Sequence, residues 1–230
     1  MDSHETMKLG DLILKLLRQE LKFREGEFTA LEAGRQGDPF RVLVATILSQ
    51  NTNEKNTFLA FEKLDKGVGV TPFRILQAGE GKIKELIAVA GLQDQKAKAV
   101  VEVSKLIQER YGGDLKKLLA LGEEVVRKEL GSVRGVGDKT IDVLLAFSGF
   151  PVVPIDTHVK RVSRRLGLAH SSNYKKIREE LHRVFRENVR LEAHLLLIKL
   201  GREICKARNP LCFKCPLKEL CLNAFKVSTD

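Results

Sequence analysis

The sequence LGSVRGVGDKT, residues 130–140, joins two stretches that carry a helical pattern of apolar residues. Gly135 and Gly137 stand where the chain must turn, and glycine permits both positive φ angles and close approach of a backbone. The next helix is predicted to begin near Asp138. Free amides at a helix N-terminus bind anions, helped by the helix dipole. The alternative is an ordinary tight turn between two helices, because G-x-G alone is a weak motif.

Helical periodicity dominates the rest of the chain. Asp38-Pro39 and Thr71-Pro72 are helix start signals, and the apolar run after Pro39 predicts a deeply buried helix. Asp94 is predicted to cap a helix over 95–111. Other helices are expected at 114–121, 123–130, 138–148, 157–166, 173–187 and 191–204. An amphipathic helix over 7–23 is predicted by a leucine and isoleucine stripe: Leu9, Leu12, Ile13, Leu16, Leu17 and Leu21. The only strand-like stretch is PVVPI (151–155), so the predicted fold class is all-α.

The net charge of +10 is concentrated in one part of the chain. Residues 131–230 hold nineteen lysines and arginines against ten acidic residues, whereas residues 1–130 are nearly balanced. Such a bias favours a polyanionic partner, since each neutralised phosphate releases counterions, over a surface that only aids solubility. No apolar run is long enough to span a bilayer, and the polar N-terminus does not resemble a secretory signal. We therefore expect no membrane association and a cytoplasmic location.

All four cysteines lie near the C-terminus, with the spacing C-x6-C-x2-C-x5-C. Four thiolates on a short loop suit zinc or an iron–sulfur cluster, whereas zinc ribbons usually have two close pairs set well apart. Disulfides are disfavoured without a secretory signal, and buried free thiols would be scattered. The spacing thus favours an iron–sulfur cluster without excluding zinc. The candidate ligands are Cys205, Cys212, Cys215 and Cys221.

Two ionisable residues that come after the hairpin in the chain are candidates for catalysis. Lys139 stands at the start of the helix after it, where it either contacts phosphate or attacks a sugar C1′ as a nucleophilic amine. Asp156 precedes the helix THVKRVSRRLG and is predicted to be its N-cap. An ionised aspartate at a helix N-terminus is also suited to stabilise positive charge developing on a sugar, so the two roles are compatible.

Three motifs occur in order: VRGVGDKT (133–140), VPIDTHVKRV (153–162) and the cysteine pattern. Together they resemble the endonuclease III family of helix–hairpin–helix DNA glycosylases, and the similarity extends from DPFRVLVATILSQNT (38–52) onward. The resemblance implies a two-lobed helical protein with DNA in the cleft. Residues 36–150 would form a six-helix bundle lobe. Residues 1–35 and 151–230 would form the other lobe, with one 4Fe-4S cluster held by the four cysteines of the loop 205–221.

The resemblance also implies an activity. Lys139 corresponds to the Schiff-base lysine and Asp156 to the catalytic aspartate of a bifunctional glycosylase and AP lyase. Such enzymes flip a damaged nucleotide out of duplex DNA, because a stacked sugar hides C1′. They then cut the N-glycosidic bond and break the strand by β-elimination. We expect a monomer that acts on oxidised or reduced pyrimidines and on abasic sites in double-stranded DNA.

Weaker correspondences concern DNA contacts. Gln50 or Asn51 is predicted to fill the site vacated by the flipped base, unless both are only a polar helix end. Leu92 resembles the wedge that enters the opposite strand, although a core leucine is the alternative. His158 corresponds to a residue lining the lesion pocket, or is structural. Four basic residues of the cysteine loop either contact phosphates or are simply solvated: Lys206, Arg208, Lys214 and Lys218.

The sequence departs from the family pattern at Arg134, where proline is frequent, at Asp138, where a basic residue is common, and at Gln93, where an aromatic often follows the wedge. Other hypotheses are a mismatch or oxidised-purine glycosylase of the same superfamily and a non-catalytic, metal-stabilised DNA-binding protein. Lys139 argues against monofunctional mismatch branches, and the lack of a further C-terminal domain argues against the adenine-mismatch branch. A binding module needs neither Lys139 nor Asp156.

Overall fold

A computed structural model describes residues 3–24, 26–35 and 37–224, and this part of the chain contains helices and no strand. The all-α prediction is confirmed. None of the helices within it is long and apolar enough to cross a membrane. Short 3-10 helices occur at Ala88–Ala90, Glu187–Val189, Cys212–Lys214 and Lys218–Leu220. The α-helices are α1 (Ser3–Glu20), α2 (Thr29–Gly34), α3 (Pro39–Leu48), α4 (Glu54–Gly67), α5 (Pro72–Ile87), α6 (Gln93–Tyr111), α7 (Leu115–Leu119), α8 (Glu123–Gly131), α9 (Asp138–Phe147), α10 (Thr157–Leu166), α11 (Tyr174–Val184) and α12 (Arg190–Glu203).

Most helix starts are local features of the sequence. Asp38 caps α3 by accepting a hydrogen bond from the Phe40 amide at 2.9 Å, and Pro39 follows as the first helical residue. Side chains also cap five other helices: Asn53, Thr71, Asp114, Asp156 and Asn173 each accept a bond from a first-turn amide. The starts predicted at Asp38-Pro39 and Thr71-Pro72 are confirmed.

The start of α6 differs from the prediction. Leu92 is the N-cap residue, and Asp94 lies inside the first turn instead of capping the helix. Gly91 has a φ of 68° and Leu92 a φ of 49°, so the chain reverses over these two residues and the helix begins earlier. The end of α6 is as predicted, with Gly112 in the left-handed conformation.

One compact unit consists of Met1–Phe23 and Pro151–Asp230. Within it α1 packs against α11 and α12, and α10 packs against α12. Gly10 permits the contact between α1 and α11, because a Cβ there would overlap the carbonyl oxygen of Val184. Ile13 and Leu17 of the predicted stripe are buried, but Leu12 is 41% exposed. The prediction for Leu12 is wrong because the buried face of α1 is centred on Ile13 and Leu14.

The strand-like segment 151–155 belongs to no helix and has no neighbouring strand in the described chain. Side chains of α11 and α12 satisfy its backbone instead. Val153 and Ile155 donate their amides to His182 Nε2 (3.1 Å) and the Tyr174 hydroxyl (3.2 Å), while the Pro151 and Pro154 carbonyls accept bonds from Arg190 and His194. Buried backbone groups need partners, and these four side chains provide them. They also hold in place the residues immediately before Asp156.

The other compact unit is Arg24–Phe150. Its centre is α3, which packs against α2, α4, α6 and α9; Phe40 and every residue from Val42 to Leu48 are buried. The prediction of a deeply buried helix after Pro39 is therefore confirmed. Residues 24–35, assigned to the other lobe in the sequence analysis, group with this unit because α2 packs on α3 and α4. Helix α4, which Asn53 caps, was not predicted from the sequence.

Candidate active site and cysteine pocket

The glycine hairpin connects α8 to α9. Gly135 has a φ of 93°, and a Cβ there would lie 3.2 Å from the Cβ of Ala99 on α6, so this position requires glycine. Gly137 has a φ of −101° and open space around it. The positive φ that glycine permits thus occurs at Gly135 but not at Gly137, which is the N-cap residue of α9 in an extended conformation. The first amides of α9 have no partners within the helix, as at any helix N-terminus.

An ion pair and an amide hold the hairpin in shape. Arg127 on α8 forms an ion pair with the fully buried Asp142 on α9, which joins the two helices that flank the turn. The Gln50 amide nitrogen donates to the Gly135 carbonyl (2.9 Å) and to the Thr140 hydroxyl (3.1 Å). The loop after α3 is therefore attached to the hairpin through Gln50.

Two exposed residues of this unit have a backbone conformation with a positive φ angle. Asn51 has a φ of 50° and Leu92 a φ of 49°, and non-glycine residues rarely adopt this conformation. Leu92 is 46% exposed, so the alternative of a core leucine is wrong. Strain of this kind persists only where surrounding contacts impose it, and it is concentrated at functional sites.

The two candidate catalytic residues occur in different units. Lys139 is half-buried in the first turn of α9, directly after the hairpin. Asp156 belongs to the other unit, where its carboxylate Oδ1 accepts the Val159 amide at 2.7 Å. The N-cap predicted at Asp156 is confirmed. Asp138, which stands where the family often has a basic residue, is the first residue of α9, directly after the N-cap Gly137.

His158 lies in the first turn of α10 and is half-buried. Its Nδ1 is 3.1 Å from Nη2 of Arg161. Burial and then the positive charges of Arg161 and Arg202 lower the pKa of His158, whereas Asp156 raises it. Gly201 on α12 leaves room for the imidazole, since a Cβ there would lie 2.9 Å from the His158 Cβ.

Two arginines of α10 hold the start of the cysteine loop. Arg161 donates to the carbonyls of Gly201 (2.8 Å) and Cys205 (3.1 Å). Arg165 donates to the carbonyls of Lys206 (2.6 Å) and Ala207 (3.0 Å), and its Nη1 is 3.5 Å from the Cys205 sulfur. Sequence reasoning missed both residues, which had contributed only to the basic charge of this region.

The four cysteines line one pocket, together with Arg165 and apolar side chains of α10 and α12. Each thiol is half-buried and reduced. Burial raises the pKa of the Cys215 and Cys221 thiols. Among the described residues, no three His, Cys, Asp or Glu side chains are close enough together to hold a single metal ion. The four basic residues of the loop, Lys206, Arg208, Lys214 and Lys218, are all exposed.

The chain matches the family model of the HhH-GPD superfamily base excision DNA repair protein over residues 44–187. This chain belongs to that superfamily. The matched region contains the hairpin, Lys139 and Asp156, and it ends before the four cysteines. The helix–hairpin–helix glycosylase family that the sequence motifs indicated is thereby confirmed.

Relatives within the superfamily carry the name endonuclease III. That of Sulfolobus acidocaldarius is 38% identical over 219 residues, which cover 94% of this chain and 96% of the relative. That of Thermotoga maritima is 37% identical over 189 residues, covering 81% and 84%. A trapped endonuclease III–DNA covalent intermediate has a TM-score of 0.77 at 25% identity, covering 98% of both chains. A thermostable thymine-DNA glycosylase shares the fold with a TM-score of 0.78 at 21% identity, covering 97% and 99%.

Proposed function

We propose that this chain is a base-excision-repair DNA glycosylase with AP lyase activity, and that it removes oxidised or reduced pyrimidines from duplex DNA. The observation that carries the proposal is Lys139 in the first turn of α9, directly after the glycine hairpin and within the region matched by the superfamily. A protein that only binds DNA, without catalysis, does not need a half-buried amine at this position. We further propose that the enzyme is a monomer, located with its DNA substrate in the cytoplasm.

Each catalytic residue has a separate role in the proposed reaction. The Lys139 amine forms a bond to C1′ while the bond from C1′ to the base breaks and the base leaves with its electron pair. Asp156, ionised and fixed by the Val159 amide, stabilises the positive charge that develops on the sugar. Ring opening then yields an imine between Lys139 and C1′. Loss of the C2′ proton expels the 3′ phosphate and breaks the strand.

The remaining residues are proposed to bind and distort DNA. The amides of the first turn of α9, after Gly135 and Gly137, would bind backbone phosphate. Gln50 is already bonded to the hairpin, which favours the exposed Asn51 as the side chain that fills the vacated base site. Leu92 would enter the opposite strand, and its exposure supports that role. His158, near the N-terminus of α10, would line the lesion pocket.

The activity is tested with duplexes that each contain one defined defect. We expect purified protein to release an oxidised or reduced pyrimidine and to cut the strand there, and to cut a duplex with a preformed abasic site. Binding should weaken steeply as salt is raised, because the grip is on phosphates. Release only of 8-oxoguanine or of thymine mispaired with guanine would favour the other branches of the superfamily. Binding without cleavage of any duplex would make the chain a non-catalytic DNA-binding protein.

We propose that Cys205, Cys212, Cys215 and Cys221 hold one 4Fe-4S cluster. The donor set fits, because all-thiolate ligation is typical of such clusters. The four thiols line one pocket, as the ligands of one cluster would, and their spacing lacks the two close, well-separated pairs that are usual in zinc ribbons. Bound there, the cluster would join the loop to α10 and α12 and stabilise this unit. Arg165, close to the Cys205 sulfur, would donate a hydrogen bond to that ligand.

Iron analysis tests the cluster. The purified protein should be yellow-brown and contain about four irons per chain. Cys212→Ser should lower the iron content and the thermal stability together, because metal binding and folding are coupled. Phe213→Ser, an exposed neighbour on the same 3-10 helix, is the matched control and should keep the iron. A colourless protein with one zinc would overturn the proposal.

A further inference from the structure

Lys96 is a buried lysine in the first turns of α6. Its side chain is on the face of the helix that also holds Val100, Val103 and Ile107, and the residue is only 2% exposed. The ammonium Nζ donates to the carbonyl oxygens of Leu48 and Ala90, each at 2.8 Å. Burial lowers the pKa of Lys96 to about 8. A buried ammonium is unfavourable unless it is hydrogen-bonded, so these two carbonyls are what keep it in place.

The two carbonyls belong to the ends of different helices. Leu48 is the last residue of α3, and the loop with Gln50 and Asn51 follows it. Ala90 is the last residue of the 3-10 helix Ala88–Ala90, and Leu92 follows two residues later. Helix C-terminal carbonyls carry partial negative charge, which suits a cation. The Lys96 amide also donates to the Leu92 carbonyl at 3.0 Å. One residue thus holds both segments whose strained, exposed residues are Asn51 and Leu92.

We propose that Lys96 is a positioning residue for DNA distortion: its ammonium holds the Asn51 loop and the Leu92 turn at a constant separation. The two side chains then enter the duplex together when a nucleotide is extruded. This inference rests on the proposed function, since it concerns how the same site opens DNA. It adds a residue that contacts neither DNA nor the reacting atoms. Without the ammonium, both carbonyls would lose a buried partner and the two segments would relax independently.

The alternative is that Lys96 only stabilises the fold. The stabilising role and the positioning role differ in how strongly each bound enzyme molecule distorts DNA. Lower stability reduces the amount of active enzyme, but each folded molecule still distorts DNA fully. Loss of positioning leaves the enzyme folded and bound to DNA, but with less distortion per bound molecule. The fluorescence of 2-aminopurine placed opposite a reduced abasic site measures this distortion, because the base brightens when it is unstacked.

The test compares Lys96→Met with Val103→Ala. Methionine has a similar length but no donor, whereas Val103→Ala removes buried packing from the same helix without touching either carbonyl. At saturating enzyme, Lys96→Met should lose most of the fluorescence rise of the wild type, and its single-turnover rate of base release should fall about 10–100-fold. Val103→Ala should keep the full rise. Thermal melting of both variants measures their stability.

A full fluorescence rise with Lys96→Met would overturn the proposal. If Lys96→Met does not fold, Lys96→Arg decides the matter. It keeps the charge but shifts the donors, so we expect a folded protein with a reduced rise, and an unchanged rise would count against positioning. Failure of the proposed function is a different outcome, since the wild type would then release no base.

Discussion

Lys139→Gln should abolish strand cleavage and covalent trapping while duplex binding survives. An amine nucleophile forms an imine with the opened sugar, so borohydride should trap wild-type protein on lesion or abasic DNA. The amide of glutamine cannot form that imine, and trapping and cleavage should fall to background. Only one positive charge is lost, so the slope of log affinity against log salt should change by at most about 0.9. Denaturing gels measure trapping and cleavage, and a binding titration measures affinity.

Lys128→Gln is the matched control for this experiment. Lys128 is an exposed lysine of α8, the helix before the hairpin, and its substitution removes the same charge. We expect it to retain full trapping and cleavage. Trapping of Lys139→Gln at the wild-type level would refute the nucleophile assignment. A loss of duplex binding equal to the loss of cleavage would instead indicate that Lys139 contacts phosphate.

Asp156→Asn should slow base release by about 10²–10³-fold, the usual cost of removing one group that stabilises a charged transition state. Cleavage of a preformed abasic site should fall much less, because loss of the base has already occurred there. The fold should survive at a cost below about 1 kcal/mol, since asparagine keeps an oxygen that accepts the Val159 amide. Single-turnover rates on a lesion duplex and an abasic duplex provide the comparison.

Asp114→Asn makes the same change at another helix cap. Asp114 caps α7 by accepting the Lys116 amide at 2.9 Å, and its substitution should alter neither rate. If base release by Asp156→Asn stayed at the wild-type rate, Asp156 would have a purely structural role as a helix cap. Equal losses on both duplexes, together with a lower melting temperature, would also point to a damaged helix start.

The properties that could be predicted from sequence alone depend on short stretches of chain. The caps at Asp38 and Asp156 and the end of α6 at Gly112 are decided by a side chain and a few amides beside it. The fold class follows from the period of apolar residues, which each helix carries within itself. The superfamily could be recognised because the hairpin, Asp156 and the cysteines are separated by characteristic distances along the chain. None of these features requires knowing which distant segments meet.

Other features became apparent only in three dimensions. The pattern of residues 151–155 resembles a strand, but side chains from α11 and α12 take the place of a strand partner. Leu92 was as compatible with a core as with a surface until the reversal at Gly91 placed it outside. Gln50 and Asn51 are adjacent in sequence, yet only contact with the hairpin, some 85 residues away, distinguishes them.

Lys96 shows most clearly why such contacts could not be predicted from the sequence. It occupies the apolar face of α6 in register with Val100, Val103 and Ile107, so the sequence contains a sign that it is buried. The sequence does not show what compensates the buried charge. Its partners are the last carbonyls of two other helices, one of them 48 residues away. A backbone carbonyl carries no residue-specific signal, and only packing of the helices brings these groups to one ammonium.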